Sequence, residues 1–478
     1  MPAETVAKTQ NRGLRRDCLS FSEVLAQSVA NVAPVATPAL IVPLVFASGQ
    51  NGTWLAYLLA TLAMLLMTYH INQFARRSAS PGALYAFTLE GLGAMWGVIS
   101  GWSLVLAYLF TGASVLAGAA NYVVLLAGLA VGRNYDFIVA LLAILAMGGT
   151  SWWIAHRDIQ LSTRMMLTSE FISVSLILVL AIVFLLKTGR IVDRGQMGLL
   201  HSSASGIRLG MVLAIFSFVG FESATALGHE AKNPLRTIPR SVLLSVLITG
   251  LFFVFTAYVL VLAFHGQKTT LAQSEAPLSV LGDLAGMPFF GVAIAVGAAV
   301  SETACALASI NAASRVIYTM GSHGLLHSSA GRTHETHATP HIAIAITSGL
   351  ATLVPTVLLV RHMALLDIFG YLGSLATFGF LFAYGLIAIA SPVYLWRRRE
   401  SWIVAAAVSV AALALLSLPL IASFYPVPPA PGKYLPYIFA ALLAVGIGRF
   451  AYLRVRCPDV IRELEKSLLA RADSVREW

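Results

Sequence analysis

Charge is what this chain has least of. Only 11% of its 478 residues are Asp, Glu, Lys or Arg, against 58% hydrophobic, where a soluble domain carries about 25% charged residues. So little polar material cannot cover a soluble core, which excludes an ordinary water-soluble domain and leaves lipid as the solvent. Cysteine is scarce too. Cys18, Cys305 and Cys457 stand alone, and without a CxxC pair they indicate neither a disulfide framework nor a metal site. No GxxxxGK[ST] stretch occurs, which argues against ATP-driven pumping by this chain. The first 20 residues are polar and basic, with no apolar core or cleavage site, unlike a secretory signal peptide. The net charge of +10 does not mark nucleic-acid binding, because Lys and Arg fall in short clusters between apolar segments rather than in one stripe.

What is present is a series of apolar runs. A spanning helix needs roughly 20 mostly apolar residues. Twelve runs meet that need: 20–48, 53–74, 91–126, 136–155, 164–187, 206–230, 239–264, 288–320, 341–360, 365–395, 402–424 and 434–455. The positive-inside rule tests the count. With the N-terminus inside, eight basic residues face out: Arg133, Lys187, Arg190, Arg194, Arg208, Lys268, Arg361 and Lys433. The other 23 of the 31 face in. This asymmetry favours an even number of spans with both ends cytoplasmic. Residues 1–19 then form a cytoplasmic segment, and 456–478 a cytoplasmic tail. Ile461, Leu464, Leu468 and Val475 make that tail a short amphipathic helix.

Two spans break the rules. The first, SVANVAPVATPALIVPLVF, places Pro34, Pro38 and Pro43 mid-bilayer, each lacking an N–H and clashing with the preceding turn. Thr37-Pro38 reads as an N-cap followed by proline at N1. The expectation is a half-helix to Asn31, an unwound stretch at Ala33–Ala36, and a second half-helix. The sixth span, MVLAIFSFVGFESATALGHEAKNP, carries Gly220 beside Glu222 at mid-span. Unwound backbone at that depth survives only inside protein or around a cavity. The breaks lie about one five-helix unit apart, with span 1 running outward and span 6 inward, as an inverted repeat requires. Paired interruptions of this kind point to a transporter's midplane site. Half-helix N-termini offer N–H groups and positive dipole to a carboxylate, while half-helix C-termini offer carbonyls to an ammonium.

The segments FSFVGFESATALGHEAKNPLRTIPRSV (216–242), SASPGALYAFTLEGLGAMWGVISGW (78–102) and ACALASINAASRVIYTMGSHGLL (304–326) resemble the sixth helix and loop, the entry to the third helix, and the eighth helix of the amino acid–polyamine–organocation permeases. The resemblance implies an all-α LeuT-type membrane fold: inverted five-helix repeats at 20–187 and 206–395, plus two helices at 402–455. It implies proton-coupled uptake or exchange of an amino acid or amine in the cytoplasmic membrane. The substrate would sit at Ala33, Val35, Ala36 and Thr37 and at Phe218, Val219, Gly220 and Phe221. Where many members carry a glycine-rich stretch, this chain has VAPVATP, with N–H groups on Val35, Ala36 and Thr37 for a carboxylate. Ser173 stands where some members have a helix-5 lysine, and His323 replaces a basic loop residue.

The polar candidates each have a second reading. Glu222 is a proton acceptor or a cap for the second half of helix 6. Glu302 contacts a cationic substrate, carries a proton, or sits at a wet helix end. Glu170 pairs with Arg164. Ser173 and Ser309, with Asn311, are candidate cation ligands or simply helix-packing polar residues. Gly93, Gly97 and Gly101 read as close packing, with dimerisation the alternative. Phe216, Phe218, Phe221 and Tyr108 flank the break as gate or core. His156-Arg157-Asp158 has no companion kinase motif, Asn51-Gly52-Thr53 is a chance sequon, and His323, His327, His334, His337 and His341 fit no metal spacing. No nucleophile, metal or acid–base cluster supports an enzyme, and no cofactor motif appears. The alternatives to an amino acid transporter are a polyamine or organic-cation carrier and a non-transporting sensor.

Overall fold

The structure is a computed structural model and describes residues 13–274, 276–425, 427 and 430–465. Lys8 and Arg12 of the N-terminal segment and Leu468 and Val475 of the tail lie outside these residues. Apart from one bridge between Leu19 and Ala231, the described residues hold helices and turns and no strand.

Ten stretches are long and apolar enough to cross a membrane. The first, Phe21–Ala75, has 55 residues, more than twice what one crossing needs. It contains α1 (Phe21–Val32), a π-helical piece (Thr37–Ile41), α2 (Val42–Gly49) and, after a turn at Gln50–Gly52, α3 (Thr53–Ala75). A short α4 (Leu84–Leu92) leads into α5 (Ala94–Val131), followed by α6 (Asp136–Arg157), α7 (Ile159–Thr188) and a one-turn α8 (Arg194–Met197). Helix α9 (Ala204–Phe216) is apolar but has 13 residues, too few to cross alone. It gives way to an irregular stretch and a 3-10 helix, Ser223–Leu227. Then come α10 (Pro234–Ala263), a short α11 (Pro277–Leu284), α12 (Phe289–Ser322), α13 (His341–Val360), α14 (Leu365–Arg397), α15 (Ile403–Ala422) and α16 (Leu435–Arg456). Residues 458–465 are helical, with Ile461 and Leu464 buried, as the amphipathic spacing predicts.

Side-chain caps start two of the helices that matter for the site. Ser20 and Glu23 form a reciprocal capping box at α1, and Asp158 accepts the Gln160 N–H at 2.9 Å to start α7. One expectation fails in detail. Gly93, Gly97 and Gly101 do not share a helix face. Gly93 is the turn between α4 and α5 at φ 92°, a conformation glycine adopts without strain. Gly97 and Gly101 do pack closely, against Leu89 and Tyr85.

The core is built around α5, whose apolar window is wholly buried between α12 and α14, whereas α15 and α16 bury only 28% of theirs. Large apolar side chains point outward around the bundle: Phe171, Leu186, Leu251, Phe289 and Val410 are each more than 70% exposed. An exposed apolar girdle of this extent has hydrocarbon as its natural solvent.

At the end of the bundle that holds Leu19, charge replaces hydrocarbon contact. Arg315 of α12 and Glu230, both 1% exposed, form a two-pronged ion pair, and Arg315 also donates to the Asn311 carbonyl at 2.9 Å. Cys18 and Leu19 donate backbone N–H groups to the Glu230 carbonyl at 2.9 and 2.8 Å, and Lys232 returns one to Leu19. Burial, assisted by Glu230, pushes the Cys18 thiol up to about 11, so it remains a protonated thiol at neutral pH. Removing one partner of a buried pair strands the other charge at a cost of about 3–5 kcal/mol. Glu230→Gln is therefore expected to lower sharply the temperature at which the detergent-solubilised protein loses its monodisperse chromatographic peak. Replacing both partners by methionine should recover most of the loss; a single variant as stable as the parent would show the pair to be dispensable.

Candidate functional site

Both interrupted helices open toward one point. Helix α1 stops at Val32 because Ala33 takes a left-handed conformation, φ 49°, and Pro34 has no N–H to continue the ladder. The cap of the next piece is Ala36, not Thr37. Thr37 is its first residue, and the Thr37 hydroxyl is buried without a hydrogen-bond partner. The amide of Ala36 is already used on the Ala33 carbonyl at 3.0 Å, so of the three N–H groups expected to be free, this one is not. In the other interruption, after α9, the chain turns through Ser217–Glu222 with Gly220 at φ 90°.

Asn31 joins the two breaks. Its side-chain amide donates to the Gly220 carbonyl at 3.3 Å, its side-chain oxygen accepts the Ser309 hydroxyl at 2.6 Å, and its own carbonyl accepts the Cys305 thiol at 3.3 Å. One turn earlier, the Gln27 carbonyl accepts from Ser223, and the Ser28 hydroxyl accepts the Ala224 N–H at 3.0 Å. Polar groups freed by unwinding are thus met by side chains of the opposite half-helix. A Cβ on Gly220 would fall on the Asn31 side chain. Only glycine satisfies both the backbone angle and the contact.

Glu222 lies directly beyond Gly220 and is fully buried. It does not cap the following 3-10 helix. Tyr108 of α5 donates to one carboxyl oxygen at 2.7 Å and Tyr384 of α14 donates to the other. The Tyr384 oxygen also accepts the Gly220 N–H at 3.3 Å. The carboxyl therefore ties the second break to α5 and α14.

A cavity of about 30 Å³ lies between the breaks, bordered by Asn31, Ala33 and Ala36 on one side, Ser217 and Val219 on another, and Thr111, Phe216 and Phe369 around them. That volume holds one or two waters, so this conformation is closed to anything larger. Of the residues expected at the site, Ala33, Ala36 and Val219 border the cavity. Val35, Thr37, Phe218, Gly220 and Phe221 are buried but do not border it. Phe218 packs edge-on against Phe253 and Phe221 against Tyr384. Asn31, Thr111, Ser114, Tyr384 and Phe369 were missed in the sequence. The signal for Asn31 was a polar amide just ahead of three prolines; for the others there was none.

The remaining candidates separate. Ser309 is at the junction, but Ser173 bonds the Gly297 carbonyl of α12 at 3.2 Å. Twelve residues of helix, about 18 Å, divide the two serines, so they do not form one cation site. Asn311 donates to Ser162 of α7. Glu170 does not pair with Arg164: it accepts the Ser301 hydroxyl at 2.8 and 3.0 Å, while Arg164 reaches Glu23 at 2.9 Å. Glu302 is not at a wet helix end; it is fully buried, and neither carboxyl oxygen has a hydrogen-bond partner. His323 lies 2.7 Å from the Tyr85 hydroxyl, and His334, His337 and His341 gather about the ring of His156. No group of three His, Cys, Asp or Glu arranged to hold a metal exists among the described residues.

Gly220→Ala would force a side chain into a left-handed backbone already filled by Asn31. A destabilisation of about 1–3 kcal/mol is expected, read as a lower thermal midpoint in detergent. Asn31→Ala in the same background should relieve the clash while leaving the Gly220 carbonyl unbonded, and so recover only part of it.

The chain matches the amino acid permease family model over residues 23–453. It is 23% identical over 365 residues to the branched-chain amino acid permease BcaP of Bacillus subtilis (strain 168), covering 73% of this chain and 74% of that one. It is 28% identical over 364 residues to the low-affinity putrescine importer PlaP of Escherichia coli (strain K12), covering 72% and 74%. With the mouse cationic amino acid transporter 4 it shares 26% identity over 333 residues, 64% of this chain but 49% of that longer protein. The three are named as a permease, an importer and a transporter, and a match spanning nearly the whole helical bundle accounts for the architecture: the chain belongs to the amino acid permease family, as a multi-pass membrane transporter and not an enzyme.

Proposed function

We propose that this protein is a secondary transporter that carries amino acids or related amines across the cytoplasmic membrane, with substrate held between the breaks after α1 and α9. The observation that carries this reading is the cavity onto which both breaks open, with Asn31 spanning them and Glu222 behind the second. Taking α1 with α2, and α9 with its 3-10 continuation, as one crossing each gives twelve crossings. Residues 20–187 and 206–395 are then two inverted five-helix units, 402–455 the last two helices, and both ends are cytoplasmic. The crowding of Lys and Arg into alternate loops supports that orientation.

A zwitterion fits the chemistry of such a site. The positive end of the second half-helix is the side suited to a carboxylate, and the carbonyl end of α9 the side suited to an ammonium. The relatives' names cover a branched-chain amino acid, cationic amino acids and putrescine, which supports the broad class of amino acids and amines. Loading requires the cavity to widen, with Phe216 and Phe369 the bulky side chains at its edge.

Glu222 is the proton-coupling residue in this reading. In the geometry seen, both carboxyl oxygens accept hydroxyl protons. A proton added to the carboxyl must be donated to an oxygen. The Tyr384 oxygen already accepts the Gly220 N–H, so the smaller rearrangement is at Tyr108, whose hydroxyl proton turns away from the carboxyl as its oxygen becomes the acceptor. Protonation thereby changes a link between the second break and α5.

Purified protein in proteoliposomes, given a labelled panel of neutral and cationic amino acids and diamines with and without a pH gradient, tests the function. Saturable uptake or exchange of at least one member is expected; no uptake and no thermal shift with any member would count against a transporter. Glu222→Gln should flatten the pH dependence of uptake while leaving substrate binding measurable. A pH profile unchanged from the parent would remove Glu222 from the coupling step.

A further inference from the structure

The stripe of α12 that faces the first break runs Glu302, Cys305, Ser309, spaced so that each lies one turn from the next on one face. Cys305 and Ser309 both reach Asn31. Glu302 continues the stripe one turn further. Its Oε2 lies 3.2 Å from the point where a Cβ on Gly118 would sit, and the ring of Phe369 is 3.0 Å from the same point. Gly118 is one turn along α5 from Val115, and Val115, Cys305 and Phe369 all border the cavity. The carboxyl of Glu302 thus stands directly behind the cavity wall, with glycine on α5 leaving room for it.

Nothing around Glu302 accounts for a carboxyl there. It accepts no hydrogen bond from protein, and no ion pair involves it or Glu170 among the described residues. Arg315, the basic residue of α12, is committed to Glu230 and lies 13 residues away along the helix, about 20 Å. The second acid, Glu170, approaches through Ser301, the residue before Glu302. A structural acid in a membrane core is held by donors, as Glu222 is by two tyrosines and Glu230 by arginine. A carboxylate stripped of water and of partners costs several kcal/mol, and an arriving cation would remove that cost.

We infer that Glu302 seats a positively charged end group of the substrate: the side-chain ammonium or guanidinium of a cationic amino acid, or the second ammonium of a diamine. This rests on the reading of the cavity as the substrate site. From Ser309 to Glu302 is seven residues of helix, about 10 Å, a span suited to a short methylene chain charged at both ends. Phe369 is the partition that must swing aside.

The test is uptake kinetics in proteoliposomes for lysine, ornithine, putrescine and leucine, with the parent, Glu302→Gln and Glu302→Asp. The parent should favour the cationic compounds. Glu302→Gln should lower kcat/KM for them roughly 30-fold or more without lowering any leucine uptake, and Glu302→Asp should retain the cationic preference. Size-exclusion profiles and thermal midpoints check that each variant is folded. A parent that carries leucine but no cationic compound would overturn the assignment while leaving the transporter reading intact. So would a folded Glu302→Gln with parental kinetics for lysine and putrescine. A parent that neither carries nor binds any of the four, nor any other member of the wider panel, would overturn the transporter reading and this inference together.

Discussion

Every backbone polar group at membrane depth must find a partner inside the protein, and the rest of this structure follows from how that constraint is met at two broken helices. Continuous helices meet it automatically. The stretches Ala33–Ala36 and Ser217–Glu222 do not, and the end of α1 is bonded across to the second interrupted segment beside them: Asn31 bonds the Gly220 carbonyl, Ser28 takes the Ala224 N–H, and Ser223 donates to the Gln27 carbonyl. Irregular backbone at that depth is tolerable because protein surrounds it. Those bonds hold α1 against the segment after α9, and the cavity is the space that their junction does not fill.

The surrounding helices divide by task. Helix α5, buried along its whole window, supplies Tyr108 to Glu222 and opens room for Glu302 at Gly118. Helix α14 supplies Tyr384 and Phe369. Helices α15 and α16 pack on the outside and contribute no side chain to the cavity. The three buried acids of the junction region are held differently. Glu222 has two hydroxyl donors, Glu170 has one serine, and Glu302 has none. Polarity in a membrane core is expensive unless partnered, so the order of decreasing partnership is also an order of increasing cost of carrying charge there.

Much of the fold was legible because lipid makes sequence simple to read. Apolar length marks a helix, and proline or glycine inside it marks a break. The interruption at Ala33–Ala36 announced itself through Pro34 and Pro38, and that at Gly220 through a glycine beside an acid. The contacts of the site were less legible. Tyr384 lies 162 positions from Glu222, and no local pattern ties them. Closeness in sequence suggests a Glu170–Arg164 pair, yet Arg164 stands on a different face and turns to Glu23. Gly93 looked like the start of a packing ridge but is a turn, because periodicity shows spacing and not where a helix begins. The short helices α4, α8 and α11 went unseen for want of length.

The strap formed by Leu19 and the segment after the second break has a mechanical consequence. Three backbone hydrogen bonds join Cys18 and Leu19 to Glu230 and Lys232, and the Arg315–Glu230 pair pins the same segment to α12. The foot of α1 and the foot of the second interrupted span are therefore one hinged leaf. Moving one foot without the other means breaking three backbone hydrogen bonds, each worth about 1 kcal/mol net, and moving both away from α12 means parting a buried ion pair as well.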